Sequence, residues 1–210
     1  MDAYARGLAE FPDELEILYA RALSWERRDD IARAEADLRR ILVIEPESIA
    51  ALNALGYTLA DRTDRYAEAL ELINRARAAE PDNAAIIDSY GWVLYRLGRT
   101  QDALAELRRA FALQKDAEIG AHLGEVLWVL GQREEARRYF EQAREQLASD
   151  EPRGHRVRSG EHRTDRVGVG RPEAELGGDA QHGRVGQDQL HRHHFDDVER
   201  ADCHRRLLLG

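Results

Sequence analysis

The sequence predicts an all-α fold: a solenoid of antiparallel helix pairs over residues 1–148, followed at 149–210 by a disordered tail. Three observations predict it. Small residues recur in phase along the chain, large apolar residues keep helical spacing beside them, and prolines and glycines stand where helices must stop.

The elements follow in order. Tyr4, Gly7 and Pro12 read as the second helix of a pair whose first helix is missing, so residues 1–12 are a half repeat and the chain is expected to be a fragment of a longer solenoid. A divergent pair covers about 15–47, with Ala22, Trp25, Ala34, Leu38 and Ile41, closed by Pro46. The next three pairs, about 48–82, 83–116 and 117–148, superimpose on one another. Their first helices carry Ala54-Leu55-Gly56-Tyr57-Thr58-Leu59, Ser89-Tyr90-Gly91-Trp92-Val93-Leu94 and His122-Leu123-Gly124-Glu125-Val126-Leu127. Their second helices carry Ala69, Ala103 and Ala136, then Ile73, Leu107 and Phe140, then Ala76, Ala110 and Ala143. Gly56 and Gly91 are 35 residues apart, Gly91 and Gly124 33. Those offsets fall in turns, where a residue is gained or lost without rotating a helix face.

The spacing has a steric reason. Two helices approach closely only where a large side chain is absent, so Gly or Ala on the first helix and the paired alanines on the second mark the crossings. Leu52, Leu55 and Leu59 fill the space beside one such crossing. Pro46 and Pro81 end second helices, because proline lacks the backbone donor and clashes with the preceding turn. Gly98 and Gly131 occupy turns within pairs, where a positive φ costs glycine little. Lys115 stands where a third proline is expected, which predicts a softer or differently angled junction there.

Composition narrows the classes. With 43% hydrophobic and 34% charged residues and no run of about 18 apolar residues, the sequence predicts a soluble protein without a membrane span. Its first residues, Met1 to Arg6, lack the basic and apolar regions of an export signal. The single cysteine, Cys203, forms no internal disulfide and says nothing of compartment. Residues 151–210 hold eleven Arg against eleven Asp plus Glu, so the net charge of −9 belongs to residues 1–150. A negative surface disfavours phosphate backbones and argues against a nucleic-acid partner.

The phased pattern of Leu-Gly, Ala, aromatic or aliphatic residue, Ala and Pro over residues 1–148 resembles the tetratricopeptide-repeat (TPR) family. The resemblance implies a superhelix whose first helices line a concave groove that holds a protein or peptide. The residues it places on that face are Tyr19 and Leu23, then Asn53, Tyr57 and Asp61, then Asp88, Trp92, Tyr95 and Arg96, and last His122, Glu125 and Trp128. Tyr57, Trp92, Tyr95 and Trp128 would form an aromatic ladder, although packing within and between repeats is as good an explanation for each of them. Replacing Trp92 and Tyr95 together is accordingly expected to weaken partner capture while helicity is kept. TPR domains that clamp a chaperone's terminal carboxylate use groove lysines; here those are absent, and Asp61, Asp88 and Glu125 would repel a carboxylate.

A narrower resemblance lies in the runs Asp88 to Arg99 and Ala121 to Trp128. These are similar to the C-terminal repeats of proteobacterial TPR lipoproteins, one of which in pseudomonads sits on the periplasmic side of the outer membrane as adaptor for a carboxyl-terminal processing protease. The resemblance implies a scaffold joining that protease to its substrates, and a periplasmic location. The alternative is a recruiting or regulatory TPR module of a larger cytoplasmic enzyme or signalling protein.

Beyond Asp150 the periodicity stops and Arg, Gly and His dominate, with seven of the eight histidines. Either disorder or a GC-rich gene read out of frame accounts for this. His191, His193, His194, Cys203 and His204 have no metal-binding spacing, so no metal or other cofactor is expected. Catalysis is not expected either. His122, Ser89 and the pair Glu134-Glu135 lack partners at spacings that acid–base or nucleophilic chemistry needs.

Overall fold

The structure is a computed structural model that describes residues 2–150. Among them are nine helices and no strand: α1 (Asp2–Glu10), α2 (Leu15–Glu26), α3 (Ile31–Ile44), α4 (Ile49–Arg62), α5 (Tyr66–Ala79), α6 (Ala84–Arg96), α7 (Thr100–Leu113), α8 (Ala117–Val129) and α9 (Arg133–Asp150). The most extensive packing joins α2 to α3, α4 to α5, α6 to α7 and α8 to α9. Each pair then packs on the next through its second helix, and α4, α6 and α8 also touch in series. The result is an inner layer of α2, α4, α6 and α8 and an outer layer of α3, α5, α7 and α9. The predicted tail, with its histidine cluster, lies outside the described residues.

Close approach within the last three pairs comes from the phased glycines. A Cβ on Gly56 would stand 2.5 Å from Ile73 Cγ1, one on Gly91 2.8 Å from Leu107 Cγ, and one on Gly124 2.6 Å from Phe140 Cε1. Ala69, Ala76, Ala103, Ala110, Ala136 and Ala143 are all buried, and Leu52, Leu55 and Leu59 fill the core beside them.

The turns repeat as the helices do. Gly98 (φ 78°) and Gly131 (φ 80°) end their helices in the left-handed conformation. In each, the following amide reaches back to a carbonyl of the last turn, Arg99 to Leu94 and Gln132 to Leu127, both at 2.9 Å. Asp29 takes the same place after α2 with φ 62°, and Asp30 N–H donates to Trp25 O at 2.9 Å. The divergent first pair therefore keeps the turn without the glycine. Nothing lies near the Cα of Gly98, so Gly98→Ala is expected to cost about 1–2 kcal/mol through backbone strain alone, read by urea denaturation.

A device that sequence periodicity did not reveal ties the pairs together. Arg75 on α5 donates to Pro46 O at 2.6 Å, Arg109 on α7 to Pro81 O at 3.0 Å, and Gln146 on α9 to Lys115 O at 2.8 Å. Each second helix thus binds the junction loop preceding its own pair. The loop at Lys115 keeps this latch although the proline is absent. Across the outer layer, arginine–carboxylate pairs run from helix to helix: Arg39 to Glu68, Arg65 to Glu35, Arg77 to Glu106 and Arg108 to Glu135. Such exposed pairs add little stability one by one, but they tie each outer helix to the next.

Candidate functional site

The inner layer forms a concavity of about 290 Å³. Tyr19, Leu23 and Glu26 of α2, Asn53, Ala54 and Tyr57 of α4, Asp88 and Ser89 of α6, and Glu118 and Ile119 of α8 line it, with Gln114 and Asp116 from the loop before α8. Side chains at successive turns of one helix face converge there because each inner helix presents the same face to the groove. Of the residues assigned to the groove from sequence, Tyr19, Leu23, Asn53, Tyr57 and Asp88 come together here.

Others do not. Trp92 is 2% exposed, His122 2% and Trp128 8%, so these three are core residues and the expected aromatic ladder is not a surface. Tyr57 and Tyr95 remain half-buried. The physical reason is the close contact of α4, α6 and α8, which turns each large ring into the seam between neighbouring inner helices. Trp92 stacks on His122, with ring centroids 4.2 Å apart, and donates its indole N–H to Asp61 Oδ1 at 3.2 Å. Tyr95 donates its hydroxyl to Glu125 Oε1 at 3.2 Å. Arg96 donates to Asp61 O at 3.2 Å and to the Tyr66 hydroxyl at 3.0 Å. Asp61, Tyr95, Arg96 and Glu125 therefore bond across neighbouring inner helices and do not line the concavity. A Trp92→Ala substitution would test the core and not the groove.

His122 is the hub of the seam between the inner helices. Its Nδ1–H donates to both Asp88 oxygens, at 3.0 and 2.9 Å, and its Nε2 lies 3.2 Å from the Tyr57 hydroxyl. Burial opposes a charge on the ring, but the Asp88 carboxylate, by charge and hydrogen bond, outweighs it, and the pKa rises from 6.5 to about 9. His122 is then an imidazolium at neutral pH. Both ring nitrogens carry protons, and Nε2–H donates to Tyr57. Burial, with the charges of Glu118, Asp61 and Asp88, pushes the Tyr57 hydroxyl well above 10.

Three side-chain caps set the starts of α3, α6 and α8. Asp30 accepts from Arg33 N at 3.3 Å, Asn83 from Ala85 N at 3.0 Å, and Asp116 from Glu118 N at 2.8 Å. The cap on α8 thereby fixes the rim from which Glu118 enters the concavity. Among the described residues no group of three His, Cys, Asp or Glu side chains is arranged to hold a metal ion, and no helix is long and apolar enough to cross a membrane.

Comparison with known proteins agrees with this architecture. Residues 53–118 and 94–159 each match a family model described as the tetratricopeptide repeat. The TPR repeat-containing protein PA4667 of Pseudomonas aeruginosa is 50% identical over 123 residues, which is 59% of this chain and 21% of that protein. Bacteriophage adsorption protein A of Escherichia coli is 36% identical over 78 residues, 37% of this chain and 8% of its own length. The chain thus spans less than a quarter of either curated relative. Among solved structures, the thermophilic TPR protein TTC0263 of Thermus thermophilus superimposes with a TM-score of 0.62 at 26% identity, covering 70% of this chain and 81% of that one.

Proposed function

This chain carries tetratricopeptide repeats, and on that premise we propose that it is a scaffold holding a segment of another protein against α2, α4, α6 and α8. The observation that carries this reading is the concavity, because four successive inner helices contribute to one recess and two tyrosines, Tyr19 and Tyr57, stand half-buried at it. Half-buried aromatic rings offer large contact area with few rotors to freeze, which suits a binding surface.

The specific form we propose is an adaptor for a carboxyl-terminal processing protease on the periplasmic side of the outer membrane. Its support is the pair of runs Asp88 to Arg99 and Ala121 to Trp128, and the 50% identity over 123 residues to a TPR repeat-containing protein of a pseudomonad. The test is capture of the carboxyl-terminal processing protease of the same source by the full chain. Tyr19→Ala combined with Asn53→Ala is expected to weaken capture about tenfold or more. Helical content should be retained. Capture that survives the double substitution would count against the concavity, and no capture by the parent chain would count against the protease.

A further inference from the structure

The outer and inner faces treat their acids differently. Outside, Glu35, Glu68, Glu106 and Glu135 each meet an arginine, as do Glu47 and Asp82 at the junction loops. Inside, Glu26, Asp88, Asp116 and Glu118 line the concavity, and no lysine or arginine lines it with them. Asp88 is answered by His122, and Asp116 spends an oxygen on the α8 cap. Glu26 accepts only from the Thr58 hydroxyl, at 3.1 Å, and among the described residues neither Glu26 nor Glu118 forms an ion pair. Arg62, whose charge reaches Glu26, is engaged with Asp29 and stands 3.9 Å from Asp61.

The cost of this arrangement is visible in the acids themselves. Burial, and then the charges of Glu118 and Asp61, raise Glu26 above the usual carboxylate range, against the pull of Thr58 and Arg62. Glu118 is raised too, by desolvation first and by Asp88 and Asp116, with His122 and Tyr57 opposing. Its own surface is exposed, so the desolvation comes from the walls of the concavity and not from a cover over the side chain. A second observation points the same way. Asn53 lines the same recess, and its Oδ1 is shut from solvent without any hydrogen-bond donor. The two carboxylates lack an ion-pair partner and the Asn53 acceptor lacks a donor, while His122 and Tyr57 offset the burial of Glu118 only in part.

We infer that the concavity receives a basic side chain of the partner protein, an arginine by preference, set between Glu26 of α2 and Glu118 of α8 beside Asn53. The inference rests on the groove reading given above and specifies its chemistry. A volume of about 290 Å³ is at the small end for a ligand site and suits one long side chain, not a folded element. Arginine fits better than lysine because its planar fork offers five donors to acceptors on different helices.

The test uses the full chain, labelled with nitrogen-15, and three capped pentapeptides, acetyl-Ala-Ala-X-Ala-Ala-amide with X as Arg, Gln or Glu. The Arg peptide is expected to shift the amide signals of Asn53, Tyr57, Glu118 and Ile119, and to bind at least about tenfold more tightly than the Gln peptide, the preference falling as salt is added. Glu26→Gln with Glu118→Gln should erase that preference. These neutral replacements remove repulsion, so the variant is expected to fold at least as stably as the parent. If the Gln and Glu peptides shift the same signals as strongly as the Arg peptide, the basic-side-chain inference is overturned while the groove stands. If no peptide shifts them, both fall.

Discussion

Asp88→Asn is expected to cost about 3–5 kcal/mol below pH 6.5, because it leaves a buried imidazolium without its anion. Asp88 and His122 have side chains only 6% and 3% exposed, so water cannot take the place of the lost charge. The pH dependence separates this from ordinary core damage. A histidine whose folded pKa of about 9 lies above its unfolded value of 6.5 holds its proton more tightly when folded. Its contribution is therefore fully present below 6.5 and is lost as the pH rises through 9. The parent protein should lose on the order of 3 kcal/mol across that window. Asp88→Asn should show a much flatter profile, the two proteins converging in alkaline solution. Urea denaturation at pH 6 and pH 9.5 measures both, and a variant with the parent's slope would remove His122 from the account.

Gly56→Ala is expected to destabilise by about 1–3 kcal/mol, although alanine is the better helix former by roughly 1 kcal/mol. The added methyl would sit 2.5 Å from Ile73 Cγ1 and 3.1 Å from the Ala69 carbonyl oxygen. Ile73 is wholly buried and the carbonyl belongs to the backbone of α5, so relief requires α4 and α5 to separate. Moving two helices apart loosens the contacts of Leu52, Leu55 and Leu59 as well. Thermal melting of the variant would decide the matter, since an unchanged or raised Tm would mean that the crossing has slack.

The fold was largely legible because its contacts are local in sequence. The phase of Gly56, Gly91 and Gly124 against Ile73, Leu107 and Phe140 names pairs that do meet, since one steric requirement is met three times at nearly equal spacing. The site was less legible. Trp92, His122 and Trp128 lie on the expected helices, yet the seam between inner helices and the open groove are adjacent on one helix face and both accept aromatic residues. A usable signal was present, for Asp88 and His122 are 34 residues apart, one repeat, which sets an acid and a histidine at matching positions of neighbouring helices. The junction latches were hidden because they end on carbonyl oxygens of Pro46, Pro81 and Lys115, groups every residue possesses.

The bond between Tyr57 on α4 and His122 on α8 passes over α6 and so links repeats that are not neighbours. A stack in which each unit feels only the next would melt progressively from its ends, in the manner of a one-dimensional Ising chain. A coupling that skips a unit raises the penalty for losing any one of the three without the others. The hairpins begun by α4, α6 and α8 should therefore exchange their amide hydrogens as one cooperative block, leaving α1 to open on its own.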